Sequence, residues 1–360
     1  MRGSLSSTGV ASKRRATPGY AEDARTAPRF ALSRRVLELS MGLIRMVTII
    51  GQNRCADRWK LRQGPAGLHL FNRSTGLNVL FDEIPTPASS WSRAPRQVSI
   101  ALTNRCDLAC THCIAPKSRN ELRTEVIMRW LGELDANGTL GVGFGGGEPT
   151  LYPGFIPLCQ RAARETNLSV TFTTHGHRVD EALAEGLRGN IHFIRVSMDG
   201  VGATYEAIRR RSFSGLLAHL KIIQTISRFG INIVVNERTL VDLDQVAFIA
   251  ADVGASELLL LPQLPARGCA RIDDNTLQRL RQWVDTYKGG LNLSISENSA
   301  EGFPTCDPLA EDGGLRAYAH INAEGALKPT SFHTTGVPIG LTGVLGALDL
   351  LAYQLGETET

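Results

Sequence analysis

Three cysteines, Cys106, Cys110 and Cys113, fall in the stretch Ser99-Ile-Ala-Leu-Thr-Asn-Arg-Cys-Asp-Leu-Ala-Cys-Thr-His-Cys, directly after an apolar run that reads as a strand. Thiols spaced C-x3-C-x2-C on one short loop can converge on a single soft metal centre. A cubane that only transfers electrons takes four thiolates, and structural zinc takes four closed ligands. Three ligands leave one iron open, as a cluster needs if it is to bind and activate a second molecule. The competing reading is a zinc site completed by His112 or by a distant ligand.

The elements that must position this loop follow from periodicity. From Gln97 onward, short apolar strands alternate with amphipathic helices, which predicts a parallel sheet covered by helices. The expected strands are Val98–Thr103, Leu140–Phe144, Ser169–Thr174, Phe193–Met198, Ile231–Val235 and Glu257–Leu261. Leu122, Val126, Ile127, Trp130, Leu131 and Leu134 recur at helical spacing and stop at Asn137-Gly138; Leu216, Leu217, Leu220, Ile223 and Ile226 do the same and stop at Gly230. Chemistry in βα barrels sits at the C-terminal strand ends. Here those ends carry the cysteines, then Gly145-Gly146-Gly147-Glu148-Pro149, Thr174-His175-Gly176, Ser197-Met198-Asp199-Gly200, Asn236-Glu237-Arg238 and Pro262-Gln263. One shared site on one rim is the expectation. The glycines leave the backbone bare for close approach of a ligand. Ser197 also reads as an ordinary strand serine, and Asp199 as a turn residue before Gly200.

The cysteine loop and the Gly-Gly-Glu turn one βα unit later together resemble the radical S-adenosylmethionine (radical SAM) enzymes. The likeness runs from about Val98 to Pro265. It implies an α/β fold, a partial (βα)6 barrel, with a small N-terminal β-rich segment and a C-terminal α+β extension. It implies one [4Fe-4S] cluster on Cys106, Cys110 and Cys113, and reductive cleavage of S-adenosyl-L-methionine to a 5′-deoxyadenosyl radical that abstracts hydrogen from a substrate. Gly145, Gly146, Gly147, Glu148 and Pro149 would hold the methionyl end, with Glu148 receiving its ammonium. Ser197 and Asp199 would face the ribose hydroxyls. Leu261 and Pro262 would wall the adenine, with His112 packed nearby. Thr174 and His175 fall where relatives carry a Thr-Asn-Gly turn; Thr174 is expected beside the cofactor, and His175 departs from the pattern. Arg209–Arg211 reads as a solvated helix end, although in relatives an arginine near here can reach the cofactor carboxylate.

The resemblance also implies an external one-electron donor such as flavodoxin or ferredoxin. The order of parts is similar to maturases of ribosomally made peptides. The alternatives are a small-molecule or nucleotide substrate and, outside the enzymes, a catalytically dead barrel scaffold.

Four segments are expected: an extension or mis-assigned start over 1–50, a β-meander and linker over 51–95, the core over 96–268, and the C-terminal extension over 269–360. The meander is read from Trp59-Lys-Leu-Arg, Gly67-Leu-His-Leu-Phe and Leu77-Asn-Val-Leu-Phe, separated by turn residues. The C-terminal part, with Cys306-Asp-Pro-Leu and His320-Ile-Asn-Ala-Glu-Gly-Ala-Leu-Lys-Pro-Thr, resembles the SPASM or twitch extension. Thr330 stands where that pattern has cysteine, and no cysteine follows Cys306, so a second cluster is not expected. The extension would serve packing or substrate capping.

The net charge of +4 is not spread over the chain: residues 1–45 hold nine Lys/Arg against three Asp/Glu, +6, which leaves −2 for the rest. No basic face for nucleic acid is implied. No uncharged run reaches membrane-spanning length, and seven cysteines, three of them clustered, suit reduced thiols in a cytoplasm. The Arg-rich tail reads as an extension, with Met41 or Met46 as candidate starts, and weakly resembles a transit peptide. Cys55, Cys159 and Cys269 have no partner spacing, and Cys159 shares an apolar helix face with Phe155 and Ala162.

Overall fold

The computed structural model describes residues 59–265, 269–296 and 299–356. The expectations for residues 1–50 and for Cys55 lie outside the described residues. Strands β1 (Trp59–Gly64), β2 (Gly67–Asn72) and β3 (Leu77–Phe81) form the antiparallel meander in the order β1-β2-β3. A sheet this small is marginal alone, and buried charge fixes it to its surroundings. Arg62, 1% exposed, donates through Nε to Asp312 Oδ2 at 3.1 Å, through Nη1 to Ala94 O at 2.7 Å and through Nη2 to Arg316 O at 3.0 Å. A guanidinium is tolerated inside only with its donors satisfied. Here the partners come from the linker and from the C-terminal segment, which ties both to the meander.

The main sheet begins with β4 (Gln97–Thr103), α1 (Thr124–Ala136), β5 (Gly141–Gly146), α2 (Phe155–Glu165), β6 (Ser169–Thr174), α3 (Glu181–Leu187) and β7 (Phe193–Ser197). It continues with α4 (Ala203–Arg209), α5 (Phe213–Ile223), β8 (Phe229–Val235), α6 (Glu237–Leu240), α7 (Leu243–Asp252) and β9 (Glu257–Pro262). These are the six expected βα units, each strand boundary within two residues of expectation. One stop signal is corrected: the helix read as ending at Gly230 ends at Ile223. Gly230 lies inside β8, where its missing side chain leaves room for Phe193 and Glu257 of the flanking strands.

The C-terminal segment adds α8 (Asp274–Thr286), β10 (Asn292–Ile295), α9 (Gly314–Ala317), β11 (Tyr318–Ile321), β12 (Ala326–Lys328), β13 (Val337–Pro338) and α10 (Gly343–Leu355). The ten-stranded order is β10-β9-β8-β7-β6-β5-β4-β11-β12-β13. β10 joins β9 in parallel and β11 joins β4 in parallel, so eight neighbouring strands run the same way before the antiparallel β12 and β13. The extension therefore prolongs the barrel sheet at both edges.

Side chains alternate across these strands. Val98, Ile100 and Leu102, Val142 and Phe144, Val170 and Phe172, and Ile231, Ile233 and Val235 are buried in the main core. The intervening positions carry Ser99, Gly143, Gly145, Thr173 and Ser197, and they line cavities. One face is thus a hydrocarbon seat for helices and the other a small-residue, polar lumen.

Candidate active site

The cysteine loop leaves β4 with its backbone pinned at the start. Asn104 N–H donates to Asn120 O at 2.9 Å and Arg105 N–H to Thr103 Oγ1 at 3.2 Å; Cys113 N–H closes a turn on Cys110 O at 3.2 Å. Cys106, Cys110 and Cys113 are all part-exposed and line one cavity of about 250 Å³. Burial pushes the Cys106 and Cys110 thiols above the ordinary cysteine range, opposed at Cys106 by the Leu108 N–H and at Cys110 by the Arg209 guanidinium. Such thiols favour the protonated form until a metal displaces the proton.

Gly146 and Gly147 are dictated by the chain itself. A Cβ on Gly146 (φ +127) would stand 2.1 Å from Thr103 O, and one on Gly147 would stand 2.2 Å from Arg105 O. In their place Gly147 N–H donates to Thr103 O and Glu148 N–H to Arg105 O, both at 2.8 Å. The turn is pressed onto the root of the cysteine loop, so the close approach it permits is backbone to backbone. Gly145 differs: nothing lies within 4 Å of its Cβ position, and it faces the open cavity.

Glu148 is 1% exposed and knits two strand ends together. Its Oε1 accepts from Thr150 Oγ1 at 2.7 Å and Thr174 Oγ1 at 2.8 Å, and its Oε2 accepts from His175 N–H at 3.0 Å. The His175 ring is also buried, with Nε2 2.9 Å from Asp107 Oδ1 and 3.3 Å from Glu148 Oε2. Thr174 and His175 both line the cavity, and Thr174 spends its hydroxyl on Glu148.

Ser197, His112, Leu261 and Pro262 line the same cavity, whereas Asp199 and Pro149 do not. Asp199 lies fully buried behind the wall. Its Oδ2 is 2.5 Å from Arg209 Nη2 and 3.0 Å from His112 Nε2, and its Oδ1 accepts from Val234 N–H at 2.8 Å. Burial opposes its ionisation, yet Arg209 foremost, then His112, hold its pKa down to about 2. The carboxylate expected at the ribose is occupied by its own protein.

Arg209 belongs to the site, contrary to its reading as a solvated helix end. It lines the cavity, its Nη1 lies 3.6 Å from Cys110 Sγ, and its buried Nε has no partner among the described residues. Gln263 and Phe332 also line the cavity. Phe332 comes from the segment after β12, and nothing in its neighbourhood in the sequence marks it. Cys159 is fully buried on α2 as expected, Cys306 is exposed, and Cys269 Sγ donates to Thr111 O at 3.1 Å.

The donor set suits the implied cofactors. Three thiols on one wall offer soft ligands with one position to spare, a bare Gly145 edge faces them, and the Arg209 side chain borders the same cavity. Cys106, Asp107 and His175 also bring ligand atoms within 4.8 Å of one another, but the last two already pair. No described helix is long and apolar enough to cross a membrane.

Residues 100–242 match the family described as "Radical SAM superfamily". The chain is 30% identical over 242 residues to mycofactocin maturase MftC of Mycobacterium tuberculosis, covering 65% of this chain and 60% of that protein. It is 27% identical over 290 residues to the sporulation killing factor maturation protein SkfB of Bacillus subtilis, covering 76% and 68%. The match thus spans less than two thirds of the mycobacterial relative. The crystal structure of Streptococcus suis SuiB bound to its precursor peptide SuiA superposes with a TM-score of 0.67 at 16% identity, covering 84% of this chain and 90% of that one, a likeness of fold. Residues 100–242 thus carry a radical SAM domain match.

Proposed function

We propose that the chain is a radical SAM enzyme that abstracts hydrogen from a ribosomally made peptide, using one [4Fe-4S] cluster and S-adenosylmethionine. The observation that carries this reading is that the three loop cysteines, the Gly145–Glu148 turn and Arg209 share one cavity at the C-terminal ends of parallel strands. When bound, the two cofactors supply a 5′-deoxyadenosyl radical by one-electron reductive cleavage; the protein supplies orientation and exclusion of water.

Cys106, Cys110 and Cys113 hold the cluster and leave one iron open. The Gly145 edge takes the methionyl backbone, and Pro149 stiffens the turn behind it. Glu148 receives the ammonium, being the only carboxylate that lines this cavity among the described residues; Thr174 holds that carboxylate in place. Arg209, which lines this cavity, offers its guanidinium to the cofactor carboxylate. Ser197 faces the ribose, with Asp199 supporting the wall through His112 and Arg209. His112, Leu261 and Pro262 flank the adenine.

A peptide substrate is supported by two relatives named as maturation proteins and by the peptide-bound SuiB. A small molecule or a dead scaffold has less support, because the cysteine loop and its cavity are intact. An external one-electron donor such as flavodoxin or ferredoxin is the second partner, with neither nucleic acid nor membrane required. A cytoplasm suits thiols that must stay reduced. Residues 1–50, 51–95, 96–268 and 269–360 are assigned as extension, meander with linker, core and iron-free extension. In the last, Thr330 Oγ1 is engaged with His333 Nδ1 at 2.9 Å.

Anaerobic reconstitution tests the reading: about four irons per chain are expected. They should be lost when the three cysteines are replaced together by alanine and kept in Cys306→Ala. Dithionite and S-adenosylmethionine should then release 5′-deoxyadenosine. Stoichiometric zinc without iron would sink it.

A further inference from the structure

A second cavity, about 690 Å³, adjoins the first and shares Ile114, Ala115, Gly145, Gly146, Thr173 and Phe332 with it. That volume suits part of a peptide or a small organic group. Its far wall is built by the C-terminal extension. Tyr318 and His320 alternate on β11, and His320 pairs in register with Ser99 of β4 on one side and Lys328 of β12 on the other.

These residues make an incomplete hydrogen-bond chain. Ser99 Oγ lies 2.5 Å from Tyr318 OH and 2.7 Å from His320 Nδ1. The serine has one proton to give. If Tyr318 donates to Ser99 and Ser99 to His320, the imidazole proton sits on Nε2, which has no partner among the described residues. If the chain runs the other way, the Tyr318 O–H is left over. Either direction leaves one donor for the cavity. Burial first, then the Lys328 charge, lowers the His320 pKa to about 4, so the ring is neutral near pH 7.

The cavity also holds a cation without a counter-ion. Lys328 Nζ donates to His333 O at 3.0 Å and has no carboxylate within ion-pair distance among the described residues. Glu324, the one acid on this wall among the described residues, accepts instead from Asn120 Nδ2 at 2.7 Å and Asn322 Nδ2 at 3.2 Å. A part-buried ammonium beside a spare neutral donor matches the two oxygens of a carboxylate.

We propose that the second cavity receives a carboxylate of the substrate, held by Lys328 and by the spare donor of the Tyr318–Ser99–His320 chain. An acidic side chain and a peptide C-terminus both offer that group. The inference rests on reading the first cavity as the cofactor site, because the shared wall then sets the held group beside the radical.

The test is calorimetric binding to the reconstituted holoenzyme with S-adenosylmethionine and no reductant. The probes are N-acetyl-glutamate N-methylamide, which carries a side-chain acid, N-acetyl-alanine, which carries a terminal acid, and the carboxamide counterpart of each. One acid should bind about tenfold more tightly than its amide, about 1.4 kcal/mol, and which one does identifies the source. Lys328→Met should erase the preference and Lys328→Arg should keep it. Equal binding of acid and amide, no binding by any probe, or a preference that survives Lys328→Met overturns the proposal. The acid–amide comparison on the unaltered protein decides the matter even if Lys328→Met misfolds. Failure of the cofactor reading would show separately, as missing iron and no 5′-deoxyadenosine.

Discussion

Replacing Asp199 by asparagine separates two roles for this residue, support of the wall and contact with ribose. In the folded protein its carboxylate is ionised and fully buried, set against a guanidinium whose side chain is 11% exposed. Removing one partner of a buried pair costs about 3–5 kcal/mol, because the other charge is left uncompensated. Two features reduce the cost here. Asparagine keeps an acceptor for Val234 N–H, and Arg209 borders the cavity, where water can reach it. A loss of about 2–3 kcal/mol is therefore expected, and in a unit of this size each kcal/mol lowers Tm by about 2 °C. Differential scanning fluorimetry of the metal-free protein should show Asp199→Asn melting about 5 °C below the unaltered chain. The measurement is made before any cofactor is present, so a residue that acts only on ribose would leave it unmoved. An unchanged melting temperature combined with weakened S-adenosylmethionine binding would refute the supporting role.

The glycines of the turn should diverge on substitution. Gly146→Ala drives a methyl into Thr103 O at a backbone conformation alanine resists, and it should lower both Tm and iron incorporation. Gly145→Ala should fold and take up iron normally while weakening S-adenosylmethionine binding measured by equilibrium dialysis, since its methyl points into open cavity; equal iron loss in both would contradict the assignment. His192 supplies a pH test away from the site. Burial foremost, then Arg73, holds its pKa at about 4, and Val170 N–H donates to its Nδ1. With the folded pKa below the ordinary value of 6.5, the unfolded chain binds more protons between pH 6.5 and 4. Stability from His192 is therefore complete above pH 6.5 and lost as pH falls toward 4. Its ring resonances should titrate near 4 by NMR, and a midpoint near 6.5 would contradict the part-buried, neutral ring.

How much of this was legible in the sequence depends on range. The six central strands were readable because each is a short apolar run closed by Gly, Pro or polar residues, and the cysteines announce themselves by spacing. Reading those strands as simply apolar hid their second face: Ser169-Val-Thr-Phe-Thr-Thr alternates, and Thr173 lines both cavities opposite the buried Val170 and Phe172. Asp199 lies off the cavity for a local reason. From Ser197 the i, i+2 rule would put both side chains on one face, but β7 ends at Ser197 and the alternation ends with it. Beyond the strand the chain turns the carboxylate toward Arg209. The arginine was hidden in turn by its neighbours, since a run of three basic residues ordinarily marks a solvated end. Here α4 stops beside the cysteine loop, and Arg210 takes a left-handed conformation (φ 57), leaving Arg209 part-buried and Arg211 exposed.

The C-terminal wall was beyond local reading altogether. His320 and Ser99 face each other only because β11 pairs in parallel with β4, a contact that spans most of the core and leaves no mark on periodicity. The hairpin motif located β11 and β12 but implied a cap over the mouth. Parallel pairing beside β4 puts their lumen-facing residues into the continuation of the barrel wall, next to Gly145 and Thr173. Loss of the expected cysteine at position 330 and gain of a lined cavity are therefore compatible. The hairpin does not need a metal to be held in place, because ladder hydrogen bonds to β4 and the packing of α10 fix it, with Glu133 accepting from Val344 and Leu345 N–H at 2.8 and 2.9 Å. A segment anchored in this way can vary its lumen-facing side chains without disturbing the cysteine loop, and that is where differences in substrate among chains of this architecture would be written.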